Sequence, residues 1–350
     1  MPVLTICNHK GGTGKTTSSV HLAAAFGLMG HRVLVVDLDP QGFLTRTVDA
    51  PEPSPEASSL ALLSPRGDLR QTPVQTLRHF DLLGSSMAMT REQRRLTNPT
   101  DVFWMRETLA QGHDYDIVLV DTAAAVSVYT MNALVASEAV VVPVTPEYQP
   151  VVGAEQTWQT CKLVREKLNP GLQEPRFLLT QVDGRLTRHT RYAAYLRESY
   201  GEAVLGVPIR TSSSLAVAAR NGRTVFNAQR MTRGAVDYAN AAAEVLAHFF
   251  PPLARPAPVR GAPDEPEEEP PDAHDPAADP SHDVPEEGAE AAALPVFAPL
   301  SLSPPPEASG EEDAARVEAE RIAAWTARAV EAASRAGKSA EPYRYSSTRR

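Results

Sequence analysis

The sequence has little of several features that define specialised classes of protein. Its 350 residues include two cysteines, Cys7 and Cys161, which cannot be read as a disulfide framework or as a metal-ligand cluster of usual spacing. The N-terminus MPVLTIC lacks the basic start and apolar core of a signal peptide. No apolar run approaches the roughly 18 residues that cross a bilayer. These absences predict a protein of the reducing cytoplasm.

Acidic charge and proline are concentrated in the last 100 residues. The formal net charge is −9, but residues 251–350 alone carry twenty acidic and ten basic side chains, together with seventeen of the 31 prolines. Such a segment buries too little apolar surface to offset chain entropy, so 251–310 is predicted to be a disordered acidic linker. Helix formers over 311–339 predict a helix, and 340–350 a disordered basic terminus. The globular part is predicted to span 1–250.

Short β-branched runs alternate with segments of helical period over residues 1–250. The first run is followed by a helix predicted over 18–30. Several runs are almost continuously apolar, which is typical of strands covered on both faces of a sheet. The predicted fold is therefore α/β, a doubly wound and mostly parallel sheet. The predicted strands are 3–7, 32–39, 80–86, 116–122, 138–145, 176–182 and 203–209.

The stretch NHKGGTGKTT, residues 8–17, predicts a phosphate-binding loop between the first strand and the first helix. Gly11, Gly12 and Gly14 allow the main chain to approach phosphate oxygens closely. The helix that follows directs its N-terminal N–H groups toward an anion. Lys15 can reach the β- and γ-phosphates, and Thr16 offers a hydroxyl to Mg²⁺.

The loop departs from the common P-loop because His9 stands where a glycine is usual and Lys10 adds a second lysine. In this respect KGGTGKT resembles the deviant Walker A motif of the ParA/MinD superfamily, and the sequence over most of 2–250 is similar to its Soj-like ParA branch. The resemblance implies an ATPase that uses ATP and Mg²⁺ and forms a homodimer when ATP binds. Lys10 would reach the nucleotide of the partner subunit. The implied nucleotide-binding residues are Lys10, Gly11, Gly12, Thr13, Gly14, Lys15, Thr16 and Thr17.

Three aspartates follow apolar strands, where the ligand crevice of an open parallel sheet lies. Asp37 and Asp39 alternate along one strand, so both can face one site. The resemblance implies that Asp39 orients the attacking water, with Lys10 and Lys15 as its catalytic partners. It also implies a magnesium site of Thr16, Asp37 and Asp121. After Asp121 the family usually has two prolines, and here Ala123, Ala124 and Ala125 follow Thr122.

The same resemblance implies roles for two further groups of residues. Pro208 and Arg210 are expected at the adenine side of the nucleotide. Arginines concentrated between 185 and 233 are expected to bind DNA without sequence preference, because cationic side chains neutralise phosphates and release counterions. The candidate DNA-binding residues are Arg185, Arg188, Arg191, Arg220 and Arg223.

The resemblance thus implies a nucleoid-associated switch that segregates chromosome or plasmid DNA and is stimulated to hydrolyse ATP by a ParB-like partner. Two alternatives remain open, a MinD-like membrane-associated regulator and a ParA-like positioner of a cargo other than DNA. The predicted terminal helix is rich in alanine and acidic residues, and Trp325 is its single aromatic residue. That composition argues against stable membrane association.

Overall fold

The described residues lie almost entirely in the part of the chain predicted to be globular. The computed structural model describes residues 2–64, 67–220, 222–228, 231–254, 327–328 and 331. The predicted linker beyond 254 and the basic terminus lie outside this set. Within the predicted terminal helix, Ala327, Arg328 and Glu331 are helical, and the rest of that prediction lies outside the described residues.

Seven strands form one sheet in the order β3-β4-β2-β5-β1-β6-β7. All neighbouring strands run parallel except β3, a two-residue strand antiparallel to β4 at one edge. The predicted doubly wound, mostly parallel sheet is confirmed. The strands are β1 Val3–Ile6, β2 Val33–Asp37, β3 Gln75–Thr76, β4 Asp81–Leu83, β5 Ile117–Asp121, β6 Ala139–Val144 and β7 Arg176–Leu179.

Helices cover both faces of the sheet, as the apolar strands predict. Along β2, Val33 and Val35 belong to one buried apolar cluster, and Leu34 and Val36 to the other. The first cluster includes side chains of α1 and α9, and the second those of α4, α5, α6 and α7. The α-helices are α1 Lys15–Leu28, α2 Phe43–Thr47, α3 Ala88–Glu92, α4 Trp104–Ala110, α5 Val128–Ala136, α6 Tyr148–Lys167, α7 Thr187–Tyr200, α8 Ser213–Arg220 and α9 Arg233–Phe249. Over the described residues, none of these helices is both long and apolar enough to span a membrane.

The central strands end at the same level, which places three loops side by side. Ile6 of β1 and Asp37 of β2 both pair with Asp121 of β5. The carboxyl ends of parallel strands share one edge of the sheet, so the loop after β1 and the carboxylates of β2 and β5 must meet there.

The prediction of a strand over 203–209 is wrong. Val204 and Arg210 form only single bridges, to Phe177 and Val182. The carboxylate of Glu244 on α9 accepts hydrogen bonds from the N–H groups of Gly206 at 2.6 Å and Val207 at 3.0 Å. Leu205 and Ile209 donate to the β7 carbonyls of Phe177 and Leu179, but the N–H of Val207 between them is taken by Glu244, so a regular ladder to β7 is interrupted.

Two boundaries also differ from prediction. The first helix begins at Lys15 and not at Ser18, because Gly14 in the left-handed region (φ 83°) turns the chain directly into the helix. It ends at Leu28, and Gly30 (φ 92°) follows just beyond its C-cap. β3 gave no signal in the sequence, since two residues are too few for periodicity to register.

A substitution at Gly27 of α1 tests how tightly this helix packs against the segment before β4. A Cβ at position 27 would lie 1.9 Å from the carbonyl oxygen of His79. Gly27→Ala therefore forces backbone to move and should lower the free energy of unfolding by about 1–3 kcal/mol, despite its better helix propensity. Gly184→Ala is the control, because its Cβ would meet open space. Equal melting temperatures for both variants by differential scanning calorimetry would contradict this packing.

Candidate nucleotide site

The loop after β1 has the open backbone that a phosphate cradle requires. Gly12 and Gly14 have φ of 77° and 83°, which side chains other than glycine rarely adopt. A Cβ at Gly11 or Gly12 would meet no atom within 4 Å, so the main chain there is accessible. The 14-residue α1 starts directly after Gly14 and adds its unpaired N-terminal N–H groups.

Lys15 lies inside the loop. Its side chain is 8% exposed, and its ammonium donates to the carbonyl of Lys10 at 2.9 Å. Burial lowers the pKa of Lys15, while the nearby Asp121 and Asp39 raise it. The ammonium is therefore held across the loop, as a cation for phosphate should be.

Asp121 of β5 is held by two hydroxyl groups of α1. It is fully buried and accepts hydrogen bonds from the hydroxyls of Thr16 (2.8 Å) and Ser19 (2.7 Å) on α1. Burial raises its pKa to about 7, and the charge of Asp37 adds to the rise. Ser19 was not predicted as a site residue, although it lies three residues after Thr16 and therefore on the same face of α1.

Asp37 and Asp39 differ in their access to the cleft, because Asp39 is among the described residues that line it and Asp37 is not. Asp37 is buried, and its carboxylate accepts from the N–H and hydroxyl of Thr45 at 3.0 and 2.7 Å. Burial raises the pKa of Asp37 to about 6. Asp39 lines the cleft, and its carboxylate accepts from the N–H of Gln41 at 2.9 Å. The hydroxyl of Ser85 donates to the Asp39 carbonyl at 2.7 Å and so fixes this turn.

Lys10 points to α6 and not into the loop. Its ammonium donates to the side-chain carbonyl of Gln149. Its backbone packs so closely against Gly153 that a Cβ there would lie 2.8 Å from the Cβ of Lys10. The Asn8 side chain accepts from the Lys10 N–H at 2.9 Å and completes this contact. Gln149 and Gly153 were not predicted as site residues, because they are distant in sequence and belong to no motif.

A cleft of about 770 Å³ extends from the phosphate loop. Its far wall includes Ile209, Arg210 and Leu215, with Tyr238 of α9. Arg210 lines the cleft as expected for the base side, but its guanidinium and N–H both bond the Asp237 carboxylate. Pro208 is half-buried and is not among the described residues that line the cleft.

The segment that replaces the family's prolines also lines the cleft. Ala123, Ala124 and Ala125 follow Thr122, whose hydroxyl donates to the Ile6 carbonyl at 2.9 Å. Thr130 of α5 donates to the carbonyl of Ala125 at 2.8 Å. The segment is thus anchored at both ends although it contains no proline.

The candidate DNA-binding arginines differ in what they contact. Arg185 is 89% exposed and pairs with Asp183 at 2.7 Å. Arg188 of α7 pairs with Glu147 at 3.0 Å, before α6. Exposed pairs of this kind contribute little to stability, so a phosphate can replace the carboxylate. Arg191 and Arg223 are exposed, and the side chain of Arg220 lies outside the described set.

The described residues fit Mg²⁺ with a nucleotide better than Mg²⁺ alone. Among them, no group of three or more His, Cys, Asp or Glu side chains is arranged to hold a metal ion. Mg²⁺ typically binds one or two carboxylates together with substrate phosphates. The hydroxyl of Thr16 next to the carboxylate of Asp121, with Asp37 beside it in the register, is a donor set of that kind.

A doubly wound sheet, a glycine loop with a buried lysine and carboxylates at the strand ends define a P-loop nucleotide-binding protein. A family model described as an AAA domain matches residues 1–174. The chromosome-partitioning ATPase Soj of Thermus thermophilus is 36% identical over 251 residues, which cover 70% of this chain and 95% of that protein. The sporulation initiation inhibitor protein Soj of Bacillus subtilis is 30% identical over 249 residues, 70% and 98% of the two chains.

Among solved structures, cobyrinic acid a,c-diamide synthase of Mycobacterium smegmatis with an ATP analogue and magnesium superposes with a TM-score of 0.61 at 27% identity. The superposition covers 75% of this chain and 100% of the synthase chain. The chain belongs to the Soj/ParA family of P-loop ATPases, and the resemblance seen in its sequence is confirmed.

The buried carboxylate pair makes stability depend on pH. Asp121 has a raised pKa in the folded chain, so folding favours its protonated form. The contribution of Asp121 to the free energy of unfolding should therefore fall as pH rises from about 4 to about 7. Asp121→Asn removes this titration. In EDTA, the free energy of unfolding of Asp121→Asn minus that of wild type should increase from pH 5 to pH 8, by on the order of a few kcal/mol.

Denaturant unfolding at several pH values measures this difference. Asp49→Asn serves as the control, because Asp49 is exposed and has φ of 55°, a backbone conformation that asparagine tolerates. A difference between wild type and Asp121→Asn that stays constant with pH would contradict the assignment.

Proposed function

We propose that this ATPase is an ATP-dependent dimerising switch that binds DNA without sequence preference and segregates chromosome or plasmid DNA with a ParB-like partner. The chain is an ATPase that uses ATP and Mg²⁺. The proposed place of action is the cytoplasm, on the nucleoid. The chromosome-partitioning name of its Thermus relative supports the partition role.

One observation carries the dimerising step. Lys15 lines the cleft, whereas Lys10 is not among the described lining residues and its ammonium bonds Gln149 on α6. Two lysines in one loop therefore face different surroundings. In the dimer, Lys10 leaves Gln149 and reaches a second nucleotide, held by the partner subunit, so that dimerisation depends on ATP.

The remaining residues supply positioning and charge. The N–H groups of the loop hold the phosphates in the bound nucleotide and in the transition state alike, and Lys15 stabilises charge that develops during transfer. Asp39 accepts a hydrogen bond from the attacking water and orients it. Thr16 and Asp121, with Asp37, would hold Mg²⁺, which neutralises phosphate charge when bound. Lys10 from the partner adds a cation that arrives only on association, so hydrolysis remains slow until the dimer and its partner protein organise the site.

The arginines allow the dimer to bind a second ligand, DNA. The candidate DNA-binding arginines lie on or near α7 and α8, and a dimer doubles their number. They are Arg185, Arg188, Arg191, Arg220 and Arg223. Binding through phosphates alone is sequence-independent and weakens steeply with salt. A monomer with half of these arginines binds far more weakly, which makes DNA binding follow the nucleotide state.

Lys10→Ala should abolish ATP-dependent DNA binding while ATP binding itself persists, because Lys15 and the loop are unchanged. DNA co-sedimentation with ATP, ADP and no nucleotide measures this. Lys162→Ala, an exposed lysine on α6, is the matched control and should behave as wild type. DNA binding by wild type that ignores nucleotide, or is absent, would contradict the proposal. Sedimentation with liposomes then tests a membrane role.

Arg185→Ala/Arg191→Ala should reduce the dependence of DNA affinity on salt. Each neutralised phosphate contributes about 0.9 to the slope of log affinity against log salt, so the slope should become shallower by about that amount for each phosphate that the variant no longer binds. Fluorescence anisotropy at several salt concentrations gives the slope. Arg165→Ala, exposed on α6, is the control. An unchanged slope in the double variant would place the DNA surface elsewhere.

A further inference from the structure

Gln181 has an unfavourable backbone conformation at the edge of the nucleotide cleft. It follows β7 by two residues, lines the cleft and has φ of 53° although it is not a glycine. Side chains with a Cβ seldom occupy this left-handed region, and they persist there when surrounding contacts fix them. The contacts of Gln181 therefore indicate why this unfavourable backbone conformation is retained.

The side chain of Gln181 holds the phosphate loop. Its Nε2 donates to the carbonyl of Gly12 at 2.7 Å and to the hydroxyl of Thr145 at 3.3 Å. The preceding Thr180 acts on the next peptide, where its hydroxyl donates to the carbonyl of Thr13 at 2.8 Å. Two consecutive carbonyls of the loop are thus bonded by side chains at the end of β7.

These bonds also set the direction of two N–H groups. The described residues contain no cis peptide bonds, and in a trans peptide the C=O and the following N–H point to opposite sides. Bonding the Gly12 and Thr13 carbonyls toward β7 therefore directs the N–H groups of Thr13 and Gly14 away from it. A flipped peptide would instead present a carbonyl oxygen to an anionic phosphate.

The backbone of Gln181 is joined to the other wall of the cleft. Its carbonyl accepts from the hydroxyl of Thr211 at 3.1 Å. The next residue, Val182, donates to the Ile209 carbonyl at 3.0 Å and accepts from the Thr211 N–H at 3.0 Å. The left-handed turn at Gln181 lets one residue bond the phosphate loop through its side chain and the opposite wall through its main chain.

We propose that Gln181 is a positioning residue for ATP, which keeps the Gly12 peptide oriented so that the loop presents N–H groups to the phosphates. This inference rests on ATP being the ligand of the cleft, as in the proposed function. Gln181 acts through the loop and takes no part in bond cleavage. Because bound substrate and transition state both use the oriented loop, removing this side chain should raise KM and leave kcat nearly unchanged.

Two substitutions in the full chain separate positioning from folding. Gln181→Met keeps the length of the side chain and removes its donor. Gln181→Gly also removes the donor but suits φ of 53°, so its melting temperature should equal or exceed that of wild type. Gln111→Met is the matched control, since Gln111 donates to the carbonyl of Gly67 at 2.9 Å, outside the cleft.

The readouts are the Kd for ATP with Mg²⁺, the basal KM and kcat, and the melting temperature. Both Gln181 variants should raise Kd and KM about three- to tenfold, as expected for one hydrogen bond. Gln111→Met should leave both constants at wild-type values. Wild-type Kd in Gln181→Gly and Gln181→Met would overturn this inference alone. A wild-type chain that does not bind ATP would overturn the proposed function and the inference together.

Discussion

The nucleotide site depends on two buried carboxylates held side by side by strand register. Asp37 and Asp121 pair directly across β2 and β5, so neither can move away from the other without disrupting the sheet. Burying like charges is costly, and the chain limits that cost with hydroxyl and N–H donors from Thr16, Ser19 and Thr45. Lys15 places one positive charge near Asp121, and the Mg²⁺ that accompanies ATP would add more.

This constraint also fixes α1 and the phosphate loop. Thr16 and Ser19 join the first turns of α1 to β5, and the loop between β1 and α1 therefore cannot slide along the sheet. From another side, the hydroxyl of Thr157 on α6 accepts from the N–H of His9 at 3.0 Å, while Gly153 allows the chain at Lys10 to approach closely. The end of β7 completes the enclosure through Gln181.

The α6 helix connects the nucleotide loop with the arginine-bearing α7. Its N-terminal turn contacts Lys10 through Gln149, and Glu147 just before it pairs with Arg188 and lies 3.2 Å from the ring of His189. Farther along, Glu155 accepts from the hydroxyls of Tyr195 and Tyr200 on α7. The same helix therefore contacts both the loop at Lys10 and the proposed DNA surface on α7.

Much of the fold follows from local patterns that tertiary contacts reinforce. Apolar runs such as 33–36 predicted strands covered on both faces, because only a doubly covered sheet buries every residue of such a run. The segment 203–209 has a similar pattern, but Glu244 on α9 bonds its N–H groups and no strand forms. A side chain almost 40 residues away decided that outcome, which no local pattern contains.

The sequence by itself determined the sheet, the phosphate loop and the acids at strand ends, because these depend on periodicity and on short-range spacing. Only the tertiary structure decided which residues support them. Gln149 bonds the ammonium of Lys10 and Gln181 bonds the carbonyl of Gly12 because strand order and helix packing bring distant segments together. Such contacts are set by the three-dimensional path of the chain, and a single sequence carries no local signal for them.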